Sequence, residues 1–135
     1  MKIEKKKLKE FRDDRGSLVP MEIEEVIDFV PKRLFYVTGV PKGLRRGDHA
    51  HYKNKQVLVC VKGQIGVSLA NKDFERYFIL DENEYVYVPN FVWDAQVFLT
   101  GEDVLLVLCS TSYDEHDYIY DKSEVLDVCR KRETL

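Results

Sequence analysis

Two of the three histidines, His49 and His51, stand one residue apart in Arg45-Arg46-Gly47-Asp48-His49-Ala50-His51, with Gln56 and Gly63 following. Residues i and i+2 of a strand share a face, so a strand here aims both imidazoles at one place. Imidazole is the side chain best suited to move protons near neutral pH, and it is also the commonest metal ligand. The pair by itself fits either use. His116 sits among carboxylates with no partner at metal-ligand spacing and reads as a surface residue.

The elements that must hold this pair are strands. The spacing predicts strands over Ile3–Leu8, Leu18–Ile23, Arg33–Val37, His49–His51, Gln56–Val61, Gln64–Ala70, Glu75–Leu80, Glu84–Val88, Ala95–Leu99 and Val104–Cys109. They are short, rich in β-branched and aromatic residues, and closely spaced. Turn signals separate them at Asp13-Asp14-Arg15-Gly16, Asn71-Lys72-Asp73 and Thr100-Gly101-Glu102-Asp103, and Lys62-Gly63 predicts a tight hairpin. Only the C-terminus reads as helical. Asp121 or Ser123 is the N-cap, Val125, Leu126 and Cys129 form an apolar stripe, and Arg130-Lys131-Arg132 suits the helix C-terminus. Many short strands with one terminal helix imply an all-β sandwich or barrel.

Composition narrows the function classes. The chain of 135 residues is expected to form one domain, 1–135, with 44% hydrophobic residues to build its core. A net charge of -3 gives no reason to expect nucleic acid or a membrane surface as partner. Lys5-Lys6-Lys7 reads as a solvated edge strand. No apolar run approaches the roughly 18 residues of a spanning helix, and the polar N-terminus is no signal peptide. Cys60 and Cys109 lie within apolar runs, as core thiols of a reduced, cytoplasmic protein do.

The spacing of Gly43, His49, His51, Gln56 and Gly63 resembles the first signature of the cupin superfamily, small jelly-roll barrels with a site inside. The second cupin signature corresponds to Pro89-Asn90-Phe91-Val92-Trp93-Asp94, with Phe91 in place of a Gly and Asp94 in place of a His. Metal cupins carry three His and one Glu, whereas this chain has Gln56 where that Glu is expected. His49, His51 and Asp94 nevertheless make two imidazoles and one carboxylate, which can hold a metal facially. A metal-dependent cupin such as a dioxygenase is therefore the alternative reading, with a sugar-nucleotide epimerase of similar fold as another.

Within the superfamily the chain resembles the dTDP-sugar 3,4-ketoisomerases. Five segments carry the resemblance in order: Asp14-Arg15-Gly16-Ser17-Leu18, Lys32-Arg33-Leu34-Phe35-Tyr36, Arg46-Gly47-Asp48-His49-Ala50-His51 with Gln56-Val57-Leu58-Val59-Cys60, Val92-Trp93, and Tyr113-Asp114-Glu115-His116-Asp117-Tyr118-Ile119. The resemblance implies a cupin jelly-roll barrel with a short C-terminal helix. It also implies a homodimer that exchanges its N-terminal strand and an activity needing no metal or other cofactor. The implied substrate is a dTDP-linked keto sugar, dTDP-4-keto-6-deoxyglucose, converted to a 3-keto-6-deoxyhexose.

That reaction removes a proton from C3, passes through an enediol and reprotonates C4, so it needs a base titrating near the working pH and donors for the developing oxyanion. The resemblance puts His49 in the base role with His51 assisting. Arg33 and Arg46 match the family's arginines, and their guanidinium forks suit pyrophosphate. Arg45 is assigned to the surface. Tyr36 either contacts the sugar or packs in the core, Gln56 either bonds substrate or braces His51, and Trp93 is assigned to barrel packing. Arg15 and Asp94 are implied to line the sugar end, where Asp94 departs from the family's His and leaves the product's C4 configuration open.

Overall fold

The computed structural model describes residues 1–127. Two five-stranded antiparallel sheets face each other. The first has the order β1-β9-β6-β11-β4, from Lys5–Lys7 (β1), Glu84–Val88 (β9), Gln56–Lys62 (β6), Val104–Cys109 (β11) and Arg33–Val37 (β4). The second has the order β12-β5-β10-β7-β8, from Tyr118–Ile119 (β12), Arg45–His51 (β5), Trp93–Phe98 (β10), Ile65–Ala70 (β7) and Glu75–Leu80 (β8). A small hairpin, Phe11–Asp13 (β2) with Gly16–Leu18 (β3), stands apart from both. Two short α-helices, Ile23–Val26 (α1) and Lys122–Leu126 (α2), and one 3-10 turn, Glu115–Asp117, complete the elements of the described residues.

The core lies between the sheets. Leu58, Cys60, Leu105, Val107 and Val86 meet Ile65, Val67, Leu69, Leu80 and Phe98 there. Truncating a fully buried ring such as Phe98 to Ala costs about 3–5 kcal/mol. β6 and β11 are central and have no solvent face over most of their length. Val57, Val59 and Leu108 on the outer side of this sheet pack with Leu8, Val26 and Ile27. Strands covered on both faces read as continuous apolar runs, as Val57 to Cys60 does.

Several expected elements differ. β3 ends at Leu18, residues 19–22 form no strand, and α1 opens at Ile23, the last residue of the strand expected over Leu18–Ile23. Pro20 has no N–H for a ladder, and Glu24 and Glu25 favour a helix start. Lys62-Gly63 is no hairpin, because β6 and β7 belong to opposite sheets. Gly63 has φ +84°, and the Asp103 carboxylate occupies the space its Cβ would need. Asp103 in turn accepts hydrogen bonds from the Gln64, Thr100 and Gly101 amides, tying this crossing to the turn before β11. α2 has Asp121 as its N-cap, accepting from the Ser123 amide. Cys129 and Arg130-Lys131-Arg132 lie outside the described residues.

Lys5–Lys7 is an exposed edge strand as expected, and Cys60 and Cys109 are buried free thiols. Burial pushes the Cys60 thiol up to about 12. No helix among the described residues is long and apolar enough to cross a membrane.

Candidate active site

β5 and β10 build the site, and a bulge between them sets its geometry. Asp94 pairs with His49, but Ala95 pairs with Gly47, so Asp48 is an extra residue with no partner. Gly47 and Asp48 both have positive φ, +87° and +61°. A Cβ on Gly47 would lie 3.0 Å from the Asp94 carbonyl oxygen and 3.0 Å from Gln96 Oε1, so glycine is what the approach of β10 allows. Residues three apart on a regular strand face opposite ways. The inserted residue cancels that alternation and lets Arg46 and His49 line one cavity.

That cavity holds about 180 Å³ between the two sheets. Its polar end is made by Arg46, His49, Gln56, Asp94, Gln96 and Tyr118, against a wall that includes Phe35, Leu58 and Phe98. The volume is below that of pockets enclosing a drug-sized ligand, so it suits one sugar ring with the rest of a larger ligand outside.

His49 and His51 share a face of β5 as expected, with ring centroids 5.0 Å apart and planes at 74°. His49 lines the cavity. His51 is 4% exposed and packs edge-on to Tyr118 at 4.4 Å. Tyr118 also meets His49 at 5.1 Å, because β12 pairs with β5 in the register Tyr118↔His51. Burial holds both imidazoles below the usual histidine range. For His49 the Gly47 carbonyl and the Asp48 carboxylate oppose this. For His51 the neighbouring His49 and Arg33 add to burial, Asp117 opposes, and the value falls to about 4. The ring Nε2 of His51 is buried without a hydrogen-bond partner.

Asp94 is 2% exposed. Gln96 Nε2 donates to its Oδ1 at 2.6 Å, while Oδ2 is buried without a partner. Burial pushes this carboxyl up to about 7, the Gln96 amide pulls it down, and the nearby Asp48 charge raises it further. One donor atom each from His49, His51 and Asp94 lies within 4.8 Å of the others, so these side chains could hold a metal ion.

Arg33 faces inward on β4. Its Nη2 donates toward Cys109 Sγ at 3.6 Å, and its guanidinium lies 5.2 Å and 5.3 Å from the Phe35 and Tyr113 ring centroids. Gln56 Nε2 donates to the same sulfur at 3.7 Å, so Gln56 faces the cavity held by a thiol rather than by His51. Arg45 pairs with Asp48 at 2.8 Å on the surface as expected, and Trp93 packs with Ala50, Ile119 and Val125. His116 is exposed beside Glu115.

Two candidates are not brought to the cavity by this chain. Tyr36 is 70% exposed, because the alternation of β4 turns Arg33, Phe35 and Val37 inward and Tyr36 outward. Arg15 is at the tip of the β2–β3 hairpin, its side chain 86% exposed and paired with Asp13 at 2.7 Å. The residues not singled out from the sequence are Tyr118 and Gln96. Tyr118 lies in a segment that resembled the family as a block. Gln96 follows Asp94 by two on the same strand, the signal that would have found it.

A family model described as "FdtA: WxcM-like, C-terminal" matches residues 1–130. A TDP-4-oxo-6-deoxy-alpha-D-glucose-3,4-oxoisomerase of Aneurinibacillus thermoaerophilus is 38% identical over 112 residues, covering 82% of this chain and 81% of the relative. The structure is similar to the sugar 3,4-ketoisomerase QdtA of Thermoanaerobacterium thermosaccharolyticum in complex with TDP, with TM-score 0.85, 37% identity and 96% of each chain covered. A mutant of QdtA in complex with TDP-4-keto-6-deoxyglucose matches with TM-score 0.85 and 36% identity, covering 96% of this chain and 95% of that one. The chain thus belongs to the FdtA, WxcM-like family, the cupin-fold family of the sugar-nucleotide 3,4-ketoisomerases.

Proposed function

We propose that this chain converts dTDP-4-keto-6-deoxyglucose to its 3-keto isomer, with His49 carrying the proton. One observation supports this most directly. His49 faces a cavity of sugar-ring size, where burial holds its imidazole below the usual histidine range, with Tyr118 and Asp94 beside it. His49 takes the C3 proton, which is acidic because C4 is a carbonyl. The electrons form an enediolate, whose O4 charge is met by a donor such as Tyr118 or His51. Moving the O3 proton to O4 and returning the carbon-bound proton to C4 leaves a ketone at C3, with no net change in atoms or redox state. Arg46 lines the cavity and Arg33 lies close enough to His51 to affect it, which supports a role for these guanidinium groups in holding the pyrophosphate. No step calls for a metal or other cofactor, and the comparisons favour this reading over the oxygenase and epimerase alternatives.

As one domain over 1–135, the chain would act in the cytoplasm on a nucleotide sugar made there. Its 3-ketone is the functional group that an aminotransferase requires, on the way to a 3-amino-3,6-dideoxyhexose of surface glycans. A homodimer fits the exposed apolar residues Phe11, Leu18, Leu34 and Tyr36. Exchange of the N-terminal strand would carry Arg15 from its solvent-exposed hairpin toward the other subunit's sugar end. Light scattering on the purified protein tests the dimer; a monomer at micromolar concentration would refute it.

Incubation with dTDP-4-keto-6-deoxyglucose in heavy water tests the reaction. Deuterium should appear at C4 of the product and at C3 of recovered substrate. Unlabelled, unchanged substrate would overturn the proposal.

A further inference from the structure

We propose that Cys109 is a positioning residue, whose sulfur aligns the Arg33 guanidinium for the diphosphate of the nucleotide sugar. Register brings the two together. Cys109 on β11 is the Cα partner of Arg33 on β4 and of Gln56 on β6. The three therefore form one row across three neighbouring strands. Partners in such a row keep their Cβ atoms about 5 Å apart. Arg33 Nη2 donates to Cys109 Sγ at 3.6 Å from one side, and Gln56 Nε2 donates to it at 3.7 Å from the other. Gln56 thus pins the sulfur, and the sulfur directs the arginine. Cys109 is fully buried and does not itself line the cavity, so it acts through its neighbours.

Arg33 also has no counter-charge. Among the described residues, the ion pairs leave it out. Its Nε is buried without a partner. The Phe35 and Tyr113 rings, 5.2 Å and 5.3 Å away, attract the cation without fixing the direction of its N–H groups. The Tyr118 side chain is its other polar neighbour. Desolvating a cation costs free energy until an anion pairs with it, so this guanidinium keeps its charge for an anionic ligand. A carboxylate at position 109 would cancel that charge, and an apolar side chain would leave it without direction. A thiol is a weak, neutral acceptor, so it aims the guanidinium and leaves the charge intact.

Gln56 and Tyr118 both line the sugar-sized cavity, and Arg33 meets the first through the shared sulfur and the second directly. The charge of Arg33 also reaches His51. A diphosphate attached to a sugar held there presents the paired oxygens that an arginine fork recognises. Cys109 therefore governs how tightly the nucleotide is held, and the proton chemistry stays with the histidines. This role of Cys109 rests on Arg33 being a diphosphate ligand and does not need the isomerase reading.

Calorimetric titration with dTDP tests this without turnover. Cys109→Val keeps the bulk and removes the acceptor, and it should weaken dTDP binding about tenfold. Cys109→Ser keeps an acceptor and should recover most of that loss. In an Arg33→Met background, where the guanidinium is gone, Cys109→Val should change affinity by less than about twofold. Cys60→Val alters the other buried thiol, on β6, and should leave dTDP affinity unchanged. Thermal melting checks folding, and Cys109→Ala repeats the test without a branched side chain. In deuterium exchange on dTDP-4-keto-6-deoxyglucose, Cys109→Val should raise KM and leave kcat within about twofold. Wild-type affinity in both Cys109→Val and Cys109→Ala, with Arg33→Met weakened, would overturn the positioning role. So would a loss in Cys109→Ser as large as in Cys109→Val, a loss that persists without Arg33, or an equal loss in Cys60→Val. Wild-type affinity in Arg33→Met would remove the diphosphate role of Arg33 and the role of Cys109 with it. Binding as stated with no deuterium exchange would sink the isomerase reading alone.

Discussion

Gln96 and Asp94, two residues apart on one strand, both point into the barrel, and the Gln96 amide donates to Asp94 Oδ1 at 2.6 Å. The bond fixes one carboxyl oxygen and leaves the other buried and unpartnered. Burying a carboxylate this way costs stability when it is ionised. The folded state holds this proton up to about pH 7, whereas an unfolded Asp releases it near about 3.9. A folded pKa above the unfolded one means that its stabilising contribution is complete below pH about 4 and is lost as pH rises through 7. Asp94→Asn keeps an oxygen for Gln96 and removes the charge. Its melting temperature should exceed wild type at pH 8, with the difference shrinking toward pH 4. A lower melting temperature at pH 8 would show that the charge is compensated.

His49→Asn removes the base and keeps a polar side chain of similar reach. Deuterium incorporation should fall about 10²–10⁴-fold, while dTDP affinity stays within about threefold by calorimetry. Equal loss of binding would make His49 structural rather than catalytic.

The acid limb of kcat/KM follows from the same histidine. Burial holds His49 below 6.5, so its unprotonated form persists to lower pH than in a free imidazole. The limb should fall with unit slope and a midpoint below about 6.5. His51, at about 4, titrates beyond it. A midpoint above 7 in deuterium wash-in rates would exclude His49, as placed here, from the base role.

Tyr118→Phe keeps the ring against His49 and His51 and removes only the hydroxyl. If that hydroxyl stabilises the enediolate, kcat should fall about 10²-fold with KM little changed. An unchanged kcat in the ketoisomerase assay would confine Tyr118 to packing.

Gly47→Ala places a methyl group 3.0 Å from two β10 oxygens at a φ that L residues avoid. It should cost about 1–3 kcal/mol in denaturant unfolding. It should also lower kcat, because relaxation of the bulge turns Arg46 away from His49. Wild-type values for both would show that the bulge is not needed for the site.

The sequence made much of this legible for a physical reason. Arg33–Val37, Glu75–Leu80, Glu84–Val88 and Val104–Cys109 form the strands expected, because pairing and burial there agree with composition. His49 and His51 share a face because strand periodicity requires it. What escaped depends on partners distant in sequence. Lys62-Gly63 has the local chemistry of a hairpin, but Asp103, some forty residues on, fixes the glycine for a crossing between sheets. Tyr36 resembles a site residue by motif, yet its parity on β4 turns it outward. Tyr118 enters the site only through the short pairing of β12 with β5.

The extra residue at Asp48 makes the active face of β5 a matter of counting. With all four residues from Arg46 to His49 kept and the bulge ironed out, the two would stand three apart on a regular strand and the arginine would turn to solvent. With Asp48 removed together with the bulge, they would stand two apart and still share a face. What this segment must preserve is therefore the match between its residue count and its kink, rather than either one alone.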